Sequence, residues 1–564
     1  MFAKLIVAAT LVAYTLADSS KTGISVTYNS KTGKYDVSDV VSDSADAYGY
    51  FYRNYNNSGW NFLDNKMQEE INSVDEHLTY FKSFGYLEGY VTCPEIQIFY
   101  PNFYSAVFGT DKPGVQTIKF IQDNYNWLKK NVASSADTDD YWYAVKTILA
   151  QVEGLYEGYV AGCGSATAKA NVDTTDYSTL DNPTLMHFLL MNAWGDLYQI
   201  AMKVKEPGQA ARLQGNRKYK NEKKTLVERC SAIVKLLKDN SDVVYGHSTW
   251  DSYESLSPRI LKHYSFPLVR NGHAEHHYNV HFSSSPALLS SIDDFFTVSG
   301  YAQLGVMETT NSLYNVKLLE QVVPETVLSW TRAVTSNQVA TSGANWAETF
   351  ARYHSGTYTN QWMSLDLKLF TPGTAPSTGF FTVFEEVPGL VHIEDRTAQL
   401  VSDGYWGSYN NPVFSDISEA SGYAKICSKD SSQCHDSCPR YYIFKEYQNE
   451  IVDVTGGQWM LSYNSFQNDT ASLNDSCNAI ACRGDLEPDE RSRGAFGALD
   501  AKVTTATLSK VEPGVNPVYY ARLGPTHQQQ PVFCWSQLPD EAEYHHAGQP
   551  DCFEYDFQAF PPTD

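Results

Sequence analysis

Cys230 is placed where a chain could turn it into a nucleophile. It stands in Leu226-Val227-Glu228-Arg229-Cys230-Ser231-Ala232-Ile233-Val234, directly after a basic stretch and at the head of an apolar run. Cutting the Arg229–Cys230 bond would free an α-amine on the residue that carries the thiol. With ordinary pKa values of about 7.7–8.0 for such an amine and about 8.5 for the thiol, the amine can act as general base to its own nucleophile. The plainer reading is a buried or disulfide-bonded cysteine, the usual fate of cysteine in a secretory chain. A second apolar run leads into Gly246-His247-Ser248-Thr249-Trp250. If the two runs are adjacent strands joined by a turn, His247 and Trp250 come close to the start of the Cys230 strand. His247 taken alone reads as structural.

Other chemistries find less support. There is no Gly-x-Ser-x-Gly elbow, which disfavours an ordinary α/β-hydrolase lipase. Gly-x-Gly-x-x-Gly and Walker loops are missing too, so no nucleotide cofactor is expected. His273-Ala274-Glu275-His276-His277 with His281 suggests a metal, but lacks the His-Glu-x-x-His order that puts two imidazoles on one helical face. It reads as a surface loop entering a strand. Cys427, Cys434 and Cys438 imitate zinc spacing only superficially, and disulfides fit them better. Neither a metal nor any other cofactor is expected.

The elements that must hold these residues change in texture along the chain. Trp60 to Phe81 carries Phe62, Met67, Ile71, Val74, Leu78 and Phe81 at helical spacing, and Tyr141 to Tyr159 repeats the pattern. Asp181-Asn182-Pro183 reads as the cap of a third helix through Leu185, Phe188, Leu189 and Trp194. From about 229 short apolar runs read as strands: 232–234, 243–245, 304–307 and 380–384. Helices are expected again around 324–334 and 344–352. Nine of the chain's 42 basic residues fall between Lys203 and Arg229, in a stretch with Pro207, Gly208 and Gly215. That stretch reads as a solvated linker and a proteolytic target, and it is the best boundary in the sequence.

The chain has 564 residues, 42% of them hydrophobic, and a formal charge of −23. Such a chain can bury a large core, and its length allows three or four domains. The acidity argues against nucleic acid as a partner and against charge-driven docking on anionic lipid. Residues 1–17 read as a signal peptide, with Lys4 before an apolar run and Thr15-Leu16-Ala17 as a cleavage site. No later run reaches the spanning length of about 18 apolar residues. Glycan acceptors are expected at Asn56, Asn468 and Asn474. The expected location is secreted, or the lysosomal or endosomal lumen.

A set of long segments, in order, carries a resemblance. These are Cys230-Ser231-Ala232-Ile233, His247-Ser248-Thr249-Trp250-Asp251-Ser252-Tyr253, Ser290-Ser291-Ile292-Asp293-Asp294-Phe295-Phe296 and Glu308-Thr309-Thr310-Asn311. They continue with 355–363, 405–412, 478–486, 523–526 and 548–551. Together they resemble the phospholipase B-like family, the lamina-ancestor relatives, over nearly the whole mature chain. The resemblance implies an α+β, N-terminal-nucleophile hydrolase fold: two stacked, mainly antiparallel sheets between helical layers (αββα), with choloylglycine-type amidases as relatives. It implies a precursor that cuts itself before Cys230 and whose fragments stay together.

The resulting scheme is a signal peptide (1–17), a helix-rich fragment (18–202), a cleaved or trimmed basic linker (203–229) and a strand-rich hydrolase portion (230–564). Asn410, in Asn410-Asn411-Pro412-Val413-Phe414, resembles the Asn-x-Pro-x-Phe segment of the amidase relatives, and is the candidate oxyanion donor. His247 and Trp250 replace a cation and a carboxylate of those relatives. Thr309 reads as a polar neighbour of the site or as a satisfied strand threonine, and Arg440, rather than Lys445, as its supporting arginine or as a surface arginine. The resemblance implies acyl esters of phospholipids as the substrate class; the alternatives are an amidase acting on N-acyl compounds and a non-catalytic lipid-binding glycoprotein. A reduced nucleophile among ten cysteines leaves nine, so at most four disulfides form and one more thiol remains. Cys534 and Cys552 are expected to pair.

Overall fold

The computed structural model describes residues 19–108, 114–163, 183–206, 230–270, 273–489, 493–510, 517–539 and 541–562. The signal peptide and most of the basic linker, Arg229 included, lie outside the described residues. In chain order the strands are β1 (Ser20–Asn29), β2 (Lys34–Ser38), β3 (Ala47–Arg53), β4 (Trp60–Met67), β5 (Ser231–Leu236), β6 (Val243–Ser248) and β7 (Trp250–Ser252). Then follow β8 (Arg259–Arg270), β9 (His273–Ser284), β10 (Phe295–Ser299), β11 (Gln303–Thr310), β12 (Asn360–Asp366), β13 (Phe381–Val387) and β14 (Leu390–Asp395). The last are β15 (Tyr405–Ser408), β16 (Phe496–Ala498), β17 (Asp500–Thr505), β18 (Tyr519–Leu523), β19 (Phe533–Cys534), β20 (Cys552–Phe553) and β21 (Gln558–Phe560).

Eleven strands form one sheet, β14-β13-β12-β11-β10-β9-β8-β4-β3-β1-β2, and six form another, β15-β5-β6-β17-β18-β21. All pairings are antiparallel except β4 with β8. Alternation along the strands sorts the core into layers. Ala232 and Val234 of β5 and Tyr245 of β6 share a cluster with Leu261, Phe295, Met307 and Met363 of the larger sheet, so this is the interface between sheets. Ile233, Val244 and Val503 point the other way, onto a helix at Pro439–Tyr447 and another at Val454–Leu461. The far face of the larger sheet, with Leu63, Ile260, Phe282 and Val306, is covered by helices α1 (Val74–Val91), α2 (Ser329–Val339) and α3 (Gly343–Ala351). Helices thus flank two stacked sheets on both sides.

Helix α1 also packs on a helix at Asp140–Gly162 at backbone contact distance. A Cβ at Gly85 or Gly89 would run into the carbonyls of Gln151 and Leu155, and one at Gly154 or Gly158 into those of Lys82 and Tyr86. The Gly-x-x-x-Gly spacing in both helices permits this approach.

Several sequence expectations need correction. Trp60–Met67 is a strand, and the helix expected over Trp60–Phe81 starts only at Val74, where Ser73 caps it by accepting from Glu76 N (3.1 Å). Strand β4 is paired on both sides and buried on both faces, so its apolar run carries no two-residue alternation to distinguish it from a helix. Strands β1–β3, in the fragment expected to be helix-rich, form a local antiparallel arrangement that joins the larger sheet through β4. The third helix runs Leu185–Asn192; its cap is Thr184, in a reciprocal box with His187, whereas Asp181 and Asn182 lie outside the described residues. Trp194 falls beyond its end in a 3-10 turn. The helix expected at 324–334 is α2, five residues later, and 344–352 is α3 within one residue. The histidine cluster is not a loop but part of β9, paired along its length with β8.

Four disulfides join Cys93–Cys163, Cys427–Cys434, Cys477–Cys482 and Cys534–Cys552, the last as expected. Cys230 and Cys438 retain thiols. Among the described residues no helix is long and apolar enough to cross a membrane.

Candidate active site

Cys230 heads β5, on the face turned toward the larger sheet, and is 2% exposed. Its φ of +75° puts it in the left-handed region, which costs a non-glycine residue roughly 1–3 kcal/mol when imposed by its surroundings. The surroundings that impose it include Arg440 on the helix Pro439–Tyr447. Its Nη1 donates to the Cys230 carbonyl (2.6 Å) and to Ser231 Oγ (3.1 Å). Its Nη2 donates to the Tyr409 carbonyl (2.8 Å) and to Asn410 Oδ1 (2.7 Å). The guanidinium also lies 4.5 Å above the Trp250 ring. One buried fork therefore fixes the residue at the head of β5, the loop after β15 and the indole of β7.

Asn410 also adopts a positive φ, +73°, a region asparagine tolerates better than most residues. Its Nδ2 donates to the Thr310 carbonyl (2.7 Å), so the amide plane is set from both ends. The loop is anchored farther on by Glu385, which accepts from Val413 N (2.8 Å) and Phe414 N (3.1 Å). Thr309 Oγ1 meets Ser408 Oγ at 2.6 Å, joining β11 to β15 across the sheet interface.

His247 is fully buried on β6, and Cys230 Sγ, one of its ring nitrogens and a Glu308 carboxylate oxygen lie within 4.8 Å of one another. Burial and the Lys502 ammonium push the imidazole well below its ordinary range; the Glu308 carbonyl opposes this less strongly. The thiol of Cys230 is pushed the other way, well above its ordinary range, by burial and the Glu308 carboxylate. The Trp250 backbone N–H and Lys502 moderate that rise. In this arrangement the imidazole is neutral and the thiol keeps its proton, so nucleophilic attack requires a base.

Several residues in this centre carry no role in the sequence reading. Lys502 faces His247 in register across β6 and β17, and donates to Asp500 (2.8 Å), Thr249 Oγ1 (2.7 Å) and the Asp293 carbonyl (3.2 Å). Asp500 and Lys502 could have been noticed as i, i+2 charges alternating with Ala501 and Val503, a strand with one charged buried face. Tyr358 OH lies 2.6 Å from Asp294 and 3.0 Å from Glu308. A phenol has one proton to give and cannot donate to both at once, and burial raises Asp294 above the ordinary carboxylate range. Trp250, Asp251, Arg259, Thr310 and Tyr358 help line a small pocket, with room for about one water molecule, that reaches Cys230.

All six expected site residues, Cys230, His247, Trp250, Thr309, Asn410 and Arg440, therefore sit in or around one centre between the sheets and the helices behind them. His276, His277 and His281 of β9 do not join it. His277 contacts Ser265 and Glu69, His276 lies against Tyr301, and His281 stacks on His263 at 4.2 Å.

The molecule is thus an α+β protein with a buried Cys–His–carboxylate centre at the head of a central strand. The sequence model of the family Phospholipase B matches residues 47–560, and the chain belongs to that family. It is 32% identical to human Phospholipase B-like 1 over 93% of this chain and 89% of that one. It is also 32% identical to Phospholipase B-like protein B of Dictyostelium discoideum, over 98% of this chain and 90% of that one. Phospholipase B of Crotalus adamanteus is 29% identical over 94% of this chain and 91% of that one.

Proposed function

We propose that this protein is a phospholipase B-like acyl hydrolase with an N-terminal-nucleophile fold, activated by cutting itself before Cys230. The observation that carries the reading is the convergence on Cys230 of Arg440, Asn410, His247 and a left-handed backbone. The four-layer order of helices and sheets is the one such a fold requires. In the first step Sγ attacks the Arg229 carbonyl carbon, and the thiol proton passes to the departing Cys230 nitrogen. Water hydrolyses the resulting thioester, leaving a free thiol and a free α-amine. That amine then takes the thiol proton as Sγ attacks a substrate carbonyl. The tetrahedral oxyanion is met by the Asn410 amide, held by Arg440; a donor of this kind typically contributes about 2.7–4 kcal/mol. Collapse releases the alcohol with the amine's proton, and water resolves the acyl-thioester to free acid.

The fragments would stay together after the cut. Strand β4, before it, pairs with β8, after it, and Glu88 binds Lys262 at 2.6 Å with both side chains fully buried. Among the described residues no disulfide crosses residue 229, so denaturant without reductant should separate them. Residues 1–17 would direct the chain to the secretory route, toward the cell exterior or an endolysosomal lumen. Asn56, Asn468 and Asn474 are all exposed, as glycan acceptors must be.

The test compares matched acyl ester and acyl amide substrates with wild type and Cys230→Ala. Ester hydrolysis and self-cutting in wild type, both abolished in Cys230→Ala, are expected. Faster turnover of the amide would favour the amidase reading, and full activity of Cys230→Ala would exclude this nucleophile. Lipid binding without turnover, unchanged in Cys230→Ala, would leave a non-catalytic lipid-binding glycoprotein.

A further inference from the structure

The neutral imidazole of His247 has two nitrogens, and their surroundings differ. Nδ1 lies 3.3 Å from Thr249 Oγ1. Nε2 is buried and makes no hydrogen bond of ordinary geometry among the described residues, the Glu308 carbonyl acting on the ring only weakly. A buried polar group left in that state is costly, and in a native site it calls for a reason.

Thr249 decides which nitrogen carries the proton. Its hydroxyl accepts from Lys502 Nζ (2.7 Å), since an ammonium can only donate. The Thr249 proton then has two acceptors in reach, His247 Nδ1 and the Asp293 carbonyl (3.4 Å). The Asp293 carbonyl already accepts from Lys502 (3.2 Å). A hydroxyl polarised by an ammonium is a strengthened donor, and the nearby positive charge favours a lone pair over an N–H at Nδ1. The chain therefore reads Asp500 carboxylate, Lys502 ammonium, Thr249 hydroxyl, His247 Nδ1, with the imidazole proton on Nε2.

We propose that Asp500, Lys502 and Thr249 form a positioning relay that holds His247 as its Nε2–H tautomer, so that His247 donates to the substrate oxyanion beside Cys230 and is not its base. The relay is local to β6 and β17, where Lys502 and His247 are register partners. Lys502 and Asp500 are fully buried; Lys502 also acts on the Cys230 thiol through its charge, and its hydrogen-bonded route to His247 runs through Thr249. The role for His247 rests on Cys230 being the nucleophile; the tautomer does not. The orphaned N–H gains its acceptor when the carbonyl oxygen becomes an oxyanion, an interaction absent in the ground state.

The experiment uses the full chain labelled with ¹⁵N-histidine, the His247 signal being assigned by its loss in His247→Gln. Wild type at pH 7 should show protonated Nε2 and bare Nδ1, and Thr249→Val should lose that tautomer preference while Thr249→Ser keeps it. In the ester assay Thr249→Val should lower kcat about 100-fold with little change in KM, and Thr249→Ser should restore it to within about threefold. A wild-type signal protonated at Nδ1, or an imidazolium, overturns the proposal, as does full kcat in Thr249→Val. If wild type shows neither cutting nor hydrolysis, the function proposed above fails, and the spectrum still decides the relay.

Discussion

Two regions of this molecule are rich in residues that could do chemistry, and they are built in opposite ways. On β9 the histidines are neighbours in sequence: His273, His276, His277 and His281 lie within nine positions. Yet alternation and cross-strand pairing disperse the rings of His276, His277 and His281, to Tyr301, to Ser265 and Glu69, and to His263. At the head of β5 the opposite holds. Cys230, His247, Glu308, Asn410, Arg440 and Lys502 are spread over 273 positions, and the two sheets with a backing helix bring them together. Convergence from several elements distinguishes a site from a cluster in sequence. A strand sends consecutive side chains to opposite faces, whereas stacked sheets put residues distant in the chain on facing surfaces.

The comparison can be broken first at Arg440. Arg440→Met removes four hydrogen bonds that set Cys230 and Asn410, and should lower kcat for an acyl ester by about 100-fold or more. His276→Ala and His277→Ala, on the dispersed cluster, should leave the same rate within about twofold. Equal losses from both regions would end the distinction.

Stability gives the next contrast. Lys502→Met leaves Asp500 buried without its ion-pair partner and should cost about 3–5 kcal/mol in urea unfolding. The exposed pair Lys119–Asp123 should contribute under 1 kcal/mol when either partner is removed.

Smaller effects lie in the pH dependence. Burial pushes the Glu385 carboxyl up to about 7, against its hydrogen bonds from Gln361, Val413 and Phe414. The folded state then binds a proton that the unfolded chain releases near its ordinary value of about 4.3. Its contribution to stability therefore falls as pH rises from about 4.3 through 7. Glu385→Gln should flatten that part of the stability profile. His281 has the reverse sign, because burial and His263 hold it neutral well below its ordinary range. The unfolded chain takes up that proton below about pH 6.5, so stability is lost as pH falls. His281→Phe should narrow the stability difference between pH 7.5 and pH 5.

Much of the site could be read in advance because its residues lie in long motifs around strand heads and turns. The strands at 232–234 and 243–245 were legible from β-branched runs, and with them the adjacency of Cys230 and His247. Lys502 was not, since nothing local says that a lysine in Asp500-Ala501-Lys502-Val503 faces another sheet and not water. The strand character of β4 is hidden for a related reason. It depends on partners such as β8, some 200 positions away, and β4 is buried on both faces. Periodicity reports one exposed face, and a central strand has none.

The central claim is that the chain cuts itself at Cys230 and that this residue then carries the chemistry. The most direct measurement is the mass and N-terminal sequence of each fragment in the purified wild-type protein after incubation at mildly acid pH, alongside Cys230→Ala. The account predicts a fragment beginning at Cys230 in wild type and an intact chain through residue 230 in the variant. An intact wild-type chain that hydrolyses acyl esters, or a fragment beginning at another residue while Cys230→Ala is cut equally, would contradict it.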